Sequence, residues 1–151
     1  SDFDFIMAGL HPFVWPRSLV QYASAAWAKA HSTWDVRSRR KARVIFTDAV
    51  VQAVYRNRIH VVTHPGCRLD IDTRELARAC AETSTLLEIN ARHDHTNVEF
   101  IRTAAEEGAR FVIGSDAHRP DEVGIFDHAV ALAEKAGLTP DEIANALPSH
   151  P

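Results

Sequence analysis

Four short apolar runs divide the chain, and each is too short to be a buried helix. They are rich in Ile, Val, Leu and Phe, and we interpret them as strands: Phe5–Leu10, Ile59–Thr63, Leu86–Asn90 and Phe111–Ser115. The last three begin at residues 59, 86 and 111. These intervals match roughly the length that a strand and a crossover helix need. The pattern therefore predicts parallel strands that are joined by helices.

The segments between these runs carry the signals that begin and end helices. Asp72, Thr96 and Thr139 each precede a Glu by three residues, which is the spacing of a capping box. Gly108 and Gly137 each follow a helical run, as is common at a helix C-terminus. We therefore expect helices to begin at these polar residues and to end at these glycines.

An apolar stripe at helical spacing follows the fourth run, and we expect it to face the core: Phe126, Ala129, Val130 and Ala133. Alternating strands and helices imply an α/β fold with a parallel sheet and right-handed crossovers. An open, doubly wound sheet and part of a closed β/α barrel both satisfy this order of elements.

Composition indicates one ordinary globular domain, with 151 residues, 46% hydrophobic and 25% charged. The formal net charge of −3 argues against a dedicated nucleic-acid binder. No apolar run approaches the roughly 18 residues of a membrane helix, so we expect no membrane association. Cys67 and Cys80 form no disulfide framework, which predicts reduced thiols in a cytoplasmic protein.

Residues 15–46 are longer than a plain crossover needs, and we interpret them as an insertion. Five of the seven residues in Arg37–Arg43 are basic. A solvated helix face explains this cluster, and a patch that attracts phosphate is the functional alternative.

Polar side chains that can bind a metal follow the predicted strands. They are His11 after the first, His64 after the second, Asn90 at the end of the third, and Asp116 and His118 after the fourth. Ligands of parallel β/α folds bind at the carboxyl ends of the strands. Neutral imidazole and carboxylate suit Zn²⁺, Mn²⁺ or Fe²⁺. The sequence therefore predicts a metal site at this edge of the sheet.

Local geometry strengthens this prediction. Asp116 and His118 are two residues apart and would point the same way if the strand end is extended. His11 and His64 each precede a proline, which favours an extended conformation for the histidine. The segment 93–95, His-Asp-His, is interpreted as a solvated loop, with a substrate-facing role as the alternative.

The motifs at the strand ends resemble those of the PHP family, the polymerase and histidinol phosphatase group of metallo-phosphoesterases. The matching pieces are Gly9-Leu10-His11, Thr63-His64-Pro65-Gly66, Leu87-Glu88-Ile89-Asn90 and Gly114-Ser115-Asp116-Ala117-His118. The predicted helix Val123–Ala136 also fits. The resemblance covers residues 5–14 and 57–147.

The resemblance implies a distorted (β/α)7-type barrel with two or three divalent metal ions at its mouth. His11 and His64 would bind one metal, Asp116 a second and His118 a third. A metal-activated water would hydrolyse a phosphate ester of a small molecule. The substrate classes known in the family are histidinol phosphate, nucleotide monophosphates and DNA 3′ ends. Arg92, just past the third strand, is placed to bind the phosphate.

The chain departs from the family pattern because it has no His-x-His motif on a first strand and no metal-bridging Glu before His11. We therefore expect residues 1–151 to be the C-terminal portion of a single PHP-like domain whose N-terminal strands are missing. The parent protein would be a phosphoric monoester hydrolase, and the chain alone inactive. A half-barrel with open edges would pair with a complementing chain or with a copy of itself.

Three other functions stay open. A PHP-like module without catalysis would serve as a scaffold or interaction partner, since it would also have lost the early ligands. A polymerase-linked DNA exonuclease would use the basic cluster on nucleic acid, although the net charge does not favour it. A hydrolase of C–N bonds would use similar metal clusters on the same fold.

Overall fold

A computed structural model describes residues 3–10, 36–67, 69–93 and 96–147 of the chain. Four parallel strands lie side by side in the order of the sequence. They are β1 (Met7–Gly9), β2 (Val61–Thr63), β3 (Leu86–Asn90) and β4 (Phe111–Gly114). The four predicted strands are confirmed, although three of them are shorter than the apolar runs.

The described residues contain four α-helices, which connect or follow the strands: α1 (Val36–Arg56), α2 (Thr73–Thr83), α3 (Val98–Glu106) and α4 (Asp127–Ala136). Each helix packs against the next one along the chain. The spatial order of the strands never reverses along the chain. Because crossovers between parallel strands are right-handed, the helices lie on one face of the sheet. The α/β prediction is confirmed.

The core lies between this layer of helices and the sheet. Val62, Leu87 and Phe111 are in register across three strands, and all three are buried. The helices contribute Leu76 and Ile101, which are fully buried. Since side chains alternate across a strand, the neighbours of these core residues point to the opposite face of the sheet. That opposite face carries the polar residues of the candidate site.

Side-chain caps begin α2 and α3 close to where the sequence predicts them. Asp72 caps α2, with its Oδ1 accepting a hydrogen bond from the backbone N–H of Glu75 at 3.2 Å. The cap of α3 is Asn97 and not Thr96, because Asn97 Oδ1 accepts from Phe100 N. Thr139 and Glu142 form the predicted capping box, but only a single 3₁₀ turn follows it, Pro140–Glu142.

Replacing Asn97 with alanine is expected to lower the free energy of unfolding by about 1 kcal/mol. The variant loses the acceptor that lies 2.9 Å from Phe100 N at the start of α3. Urea unfolding followed by circular dichroism measures the change. Asn97→Asp is the matched control, because a carboxylate keeps the acceptor and suits a helix N-terminus. Equal losses in both variants would contradict the capping role.

The stripe after the fourth strand is only half buried. Ala129 and Ala133 are in the core, but Phe126 and Val130 are 37% and 40% exposed. The helix also begins at Asp127, and not at Val123 as the sequence predicts. Pro120–Glu122 forms a separate 3₁₀ turn, which separates the carboxyl end of β4 from α4.

Residues 36–46 of the predicted insertion lie in the first half of α1, and Ala42 and Phe46 pack into the core. The rest of the insertion lies outside the described residues. Within the basic cluster, Arg43 forms ion pairs with Asp72 at 3.1 Å and Asp70 at 3.9 Å. This arginine therefore joins α1 to the start of α2. No helix in the described ranges is long and apolar enough to cross a membrane.

The two cysteines differ in reactivity because they differ in burial. Burial raises the pKa of the Cys80 thiol to about 12, while Cys67 is only partly buried. A thiol reagent at pH 8 is therefore expected to modify Cys67 in the folded chain, and Cys80 only after unfolding. Mass spectrometry of the labelled peptides measures this order. Labelling of Cys80 as fast as Cys67 would contradict the packing of α2.

Candidate metal centre at the carboxyl ends of the strands

The loops that follow β2, β3 and β4 meet at one edge of the sheet. They bring together His64, His93, Asp116 and His118. His11, the candidate after β1, lies outside the described residues. The prediction of a shared edge is thus tested for three strand ends, and these three do converge.

Glu88 is a buried carboxylate on the face of β3 that points away from the helices. It is 4% exposed, and its Oε2 accepts hydrogen bonds from His64 N at 2.6 Å and from Asn90 Nδ2 at 3.1 Å. Asn90 Oδ1 in turn accepts from the backbone N–H groups of Arg92 and His93, each at 2.9 Å. Two side chains of β3 therefore fix the turns after β2 and β3.

Gly114 on β4 leaves the space that Glu88 needs. Asn90 and Gly114 are paired across β3 and β4. A Cβ at residue 114 would overlap Glu88 Oε1 and lie 3.0 Å from its Cδ. The absence of a side chain here allows a buried carboxylate between two neighbouring strands.

Two candidate ligands adopt left-handed backbone conformations. His64 has φ of 31° and Asp116 has φ of 49°. The prediction of an extended His64 before Pro65 is therefore wrong, and the hydrogen bond from His64 N to Glu88 supplies the physical reason. The prediction of an extended segment from Asp116 to His118 is also wrong, because β4 ends at Gly114 and the chain turns at Asp116.

Asp116 lies at the centre of the convergence. Its Oδ2 is 3.3 Å from His93 Nε2, and its Oδ1 is 4.0 Å from His118 Nδ1. The His118 ring also lies 2.8 Å from the backbone oxygen of Asp116. His64 packs edge-to-face on His93, with ring centroids 6.3 Å apart. Within the described ranges no group of three or more His, Cys, Asp or Glu side chains is positioned to hold one ion.

Arg92, the candidate phosphate-binding residue, is held by Glu122. Arg92 Nη1 lies 2.6 Å from Glu122 Oε2, and the same oxygen accepts from His118 N at 2.8 Å. The His118 backbone N–H and the Arg92 charge hold the pKa of the Glu122 carboxyl below its usual value. Glu122 therefore joins the loops that follow β3 and β4.

A cleft of about 550 Å³ opens beside this edge, between the starts of α2 and α3. Arg43, Asp72, Arg74 and Glu99 contribute charges of both signs to its wall, and Gly66 brings the loop after β2 to its rim. None of the candidate ligands is among the described residues that line it. We therefore place the site by its chemistry at the strand ends and not in this cleft.

Comparison with known proteins indicates a class of reaction, which the geometry alone does not. The chain is similar to proteins named probable phosphatases. One of Shewanella sp. strain ANA-3 is 29% identical over 157 residues, which cover 98% of this chain and 53% of that protein. One of Syntrophotalea carbinolica is 35% identical over 108 residues, or 66% of this chain and 45% of that protein.

A third relative is probable phosphatase YcdX of Escherichia fergusonii, 28% identical over 113 residues, or 69% of this chain and 46% of that protein. The chain thus spans about half the length of the curated relatives it matches. No protein-family model matches the sequence. The similarity supports a phosphatase family in general, and the finer resemblance to PHP proteins stays a prediction.

The sequence reasoning missed three residues that organise this edge. His93 is predicted to lie in a solvated loop, with a substrate-facing role as the alternative, and the structure places it in contact with Asp116. Glu88 carried a signal, because an acidic residue inside an otherwise apolar strand needs a buried partner. Glu122 gave no signal in the sequence, because its partners Arg92 and His118 lie in loops that only the fold brings together.

Proposed function

We propose that this chain is part of a phosphatase that hydrolyses phosphate esters with one or more divalent metal ions at the carboxyl ends of its strands. The observation that carries the proposal is the position of Asp116 between His93 and His118, with the His64 ring packed on that of His93. The names of the relatives, which are probable phosphatases, support the reaction class.

The donor set suits a Zn²⁺, Mn²⁺ or Fe²⁺ ion, because imidazole nitrogen and carboxylate oxygen are common ligands of these metals. Asp116, His64 and His118 would hold the metal ions, together with His11. A bound ion of this kind lowers the pKa of a water and polarises a phosphoryl oxygen. Glu88 keeps His64 at the strand end by binding its backbone N–H.

Arg92 would bind the phosphate of the substrate. Its side chain is 40% exposed and already lies at the loop next to His93. In the described structure Glu122 accepts a hydrogen bond from Arg92 Nη1. The other N–H groups of the guanidinium would donate to the phosphate oxygens, while Glu122 keeps the side chain at the loop.

The sheet would form part of a β/α barrel. Its strands keep the order of the sequence, whereas a doubly wound sheet reverses that order at a switch point. Beside β1, the large apolar side chains of Phe3, Phe5 and Met7 are all more than half exposed. Further polypeptide would cover them, either from the same protein or from a partner chain.

Phosphatase activity of the full-length product of the gene tests this proposal. We expect release of phosphate from monoesters to stop on chelation, to return with Zn²⁺ or Mn²⁺, and to be lost in Asp116→Asn. His128→Asn, on the exposed side of α4, is the matched control and should keep its activity.

Several outcomes would contradict the proposal. Full activity after chelation would show that the reaction needs no metal ion. Full activity of Asp116→Asn would show that Asp116 is not a required ligand. Hydrolysis of amides without hydrolysis of phosphate esters would favour C–N bond chemistry. Absence of all hydrolysis and of metal binding would favour a scaffold, and release of nucleotides from DNA 3′ ends would favour the exonuclease.

A further inference from the structure

Hydrogen bonds and ring packing hold His93 in place. Its backbone N–H donates to Asn90 Oδ1, and Asn90 is fully buried and held by Glu88. The His93 side chain is two-thirds buried, and its ring meets that of His64 at an interplanar angle of 87°. The turn after β3 therefore presents one nitrogen of His93 to Asp116, on the side where the loops after β2 and β4 converge.

The spacing of the two donor atoms fits a shared ion. Ligand atoms at about 2.0–2.2 Å from a tetrahedral zinc lie about 3.3–3.6 Å from each other. His93 Nε2 and Asp116 Oδ2 are 3.3 Å apart, which is at the short end of this range. An ion pair between the two side chains has the same spacing, and the experiments below separate the two interpretations.

We propose that His93 binds, through Nε2, the same divalent ion as Asp116. The inference rests on the metal-dependent function proposed above, and the resemblance assigns no ligand to this loop. Asn90 and Glu88 then act as positioning residues, because they fix the backbone of His93. The competing interpretation is that His93 only orients Asp116 and does not contact the ion.

Cobalt spectroscopy of His93→Cys distinguishes these two interpretations in the 151-residue chain. A thiolate that binds Co²⁺ directly adds a charge-transfer band in the near ultraviolet. We expect this band in His93→Cys after subtraction of the wild-type spectrum, which also contains Cys67 and Cys80. Unchanged visible cobalt bands without the new band would overturn the inference.

A second variant keeps the test decisive if the cysteine variant does not fold. His93→Gln retains a donor for Asp116 but is a poor metal ligand. Loss of a partner that only orients a ligand weakens metal binding by about 10–100-fold. We expect His93→Gln to lose about 100-fold or more in Zn²⁺ affinity by calorimetry, with His128→Gln unchanged. Any loss of less than about 100-fold in His93→Gln, including no loss, would overturn direct binding.

The outcomes separate this inference from the proposed function. If the wild-type chain binds Co²⁺ and Asp116→Asn does not, while both His93 variants bind as the wild type does, only the role of His93 fails. If the wild-type chain binds neither Co²⁺ nor Zn²⁺, the metal site and the role of His93 fail together. Circular dichroism of each variant shows that it is folded.

Discussion

Replacing Gly114 with alanine is expected to lower the free energy of unfolding by about 2–3 kcal/mol, the upper part of the range for overpacking a core. The new Cβ would overlap Glu88 Oε1, and Glu88 has no easy alternative position because it is buried and bound to His64 and Asn90. The backbone of Gly114 is not in the left-handed region. The expected loss therefore comes from the contact with Glu88 and not from backbone strain.

A double-mutant cycle with Glu88→Ala isolates this contact. Removing the Glu88 side chain leaves room for the methyl group, so Gly114→Ala should cost much less in the Glu88→Ala background. We expect a coupling free energy of about 1–3 kcal/mol from urea unfolding of the four proteins. If Gly114→Ala costs the same in both backgrounds, Gly114 does not serve to admit the carboxylate.

Replacing Phe111 with alanine is expected to lower the free energy of unfolding by about 3–5 kcal/mol. Phe111 is the largest fully buried side chain of the described residues and lies beside Leu87 in the register of β3 and β4. Its backbone also pairs with Ile143, beyond α4. The cavity would therefore weaken the strand that leads to Asp116.

Phe126→Ala is the matched control for this cavity. It removes the same side chain from a position that is 37% exposed, at the start of α4. We expect a loss of about 1 kcal/mol or less, because surface positions contribute little. Chemical denaturation of both variants under the same conditions measures the contrast. Similar losses for the two phenylalanines would contradict the assigned burial.

Local signals in the sequence predict most of the described fold. The strand runs are distinctive because short apolar segments alternate with segments that carry helix-capping signals. The predictions that fail concern the exact ends and lengths of helices. Asn97 caps α3 in place of Thr96, and the Thr139 capping box is followed by only one turn.

The candidate site is less predictable because its contacts are not local. The positions of His64, Asp116 and His118 at the strand ends follow from the order of elements. Their conformations do not, because the left-handed backbone at His64 depends on Glu88, a residue of the neighbouring strand. A proline rule that considers only Pro65 cannot include that partner.

The contact of His93 with Asp116 is also not predictable from the residues next to it in the sequence. A histidine between polar residues before a helix is typical of a solvated loop. Its contact with Asp116 exists only because Asn90 holds the turn and β4 lies next to β3. Such a residue becomes a candidate once the sheet order is known.

Metal binding by the 151-residue chain tests the central claim most directly. Isothermal titration calorimetry with Zn²⁺, Mn²⁺ and Fe²⁺ on metal-free protein gives the stoichiometry and the affinity. We expect at least one bound equivalent of one of these ions, lost in Asp116→Ala and retained in His128→Ala. A folded chain that binds none of them, or that binds them equally well without the Asp116 carboxylate, would contradict a metal site at these strand ends.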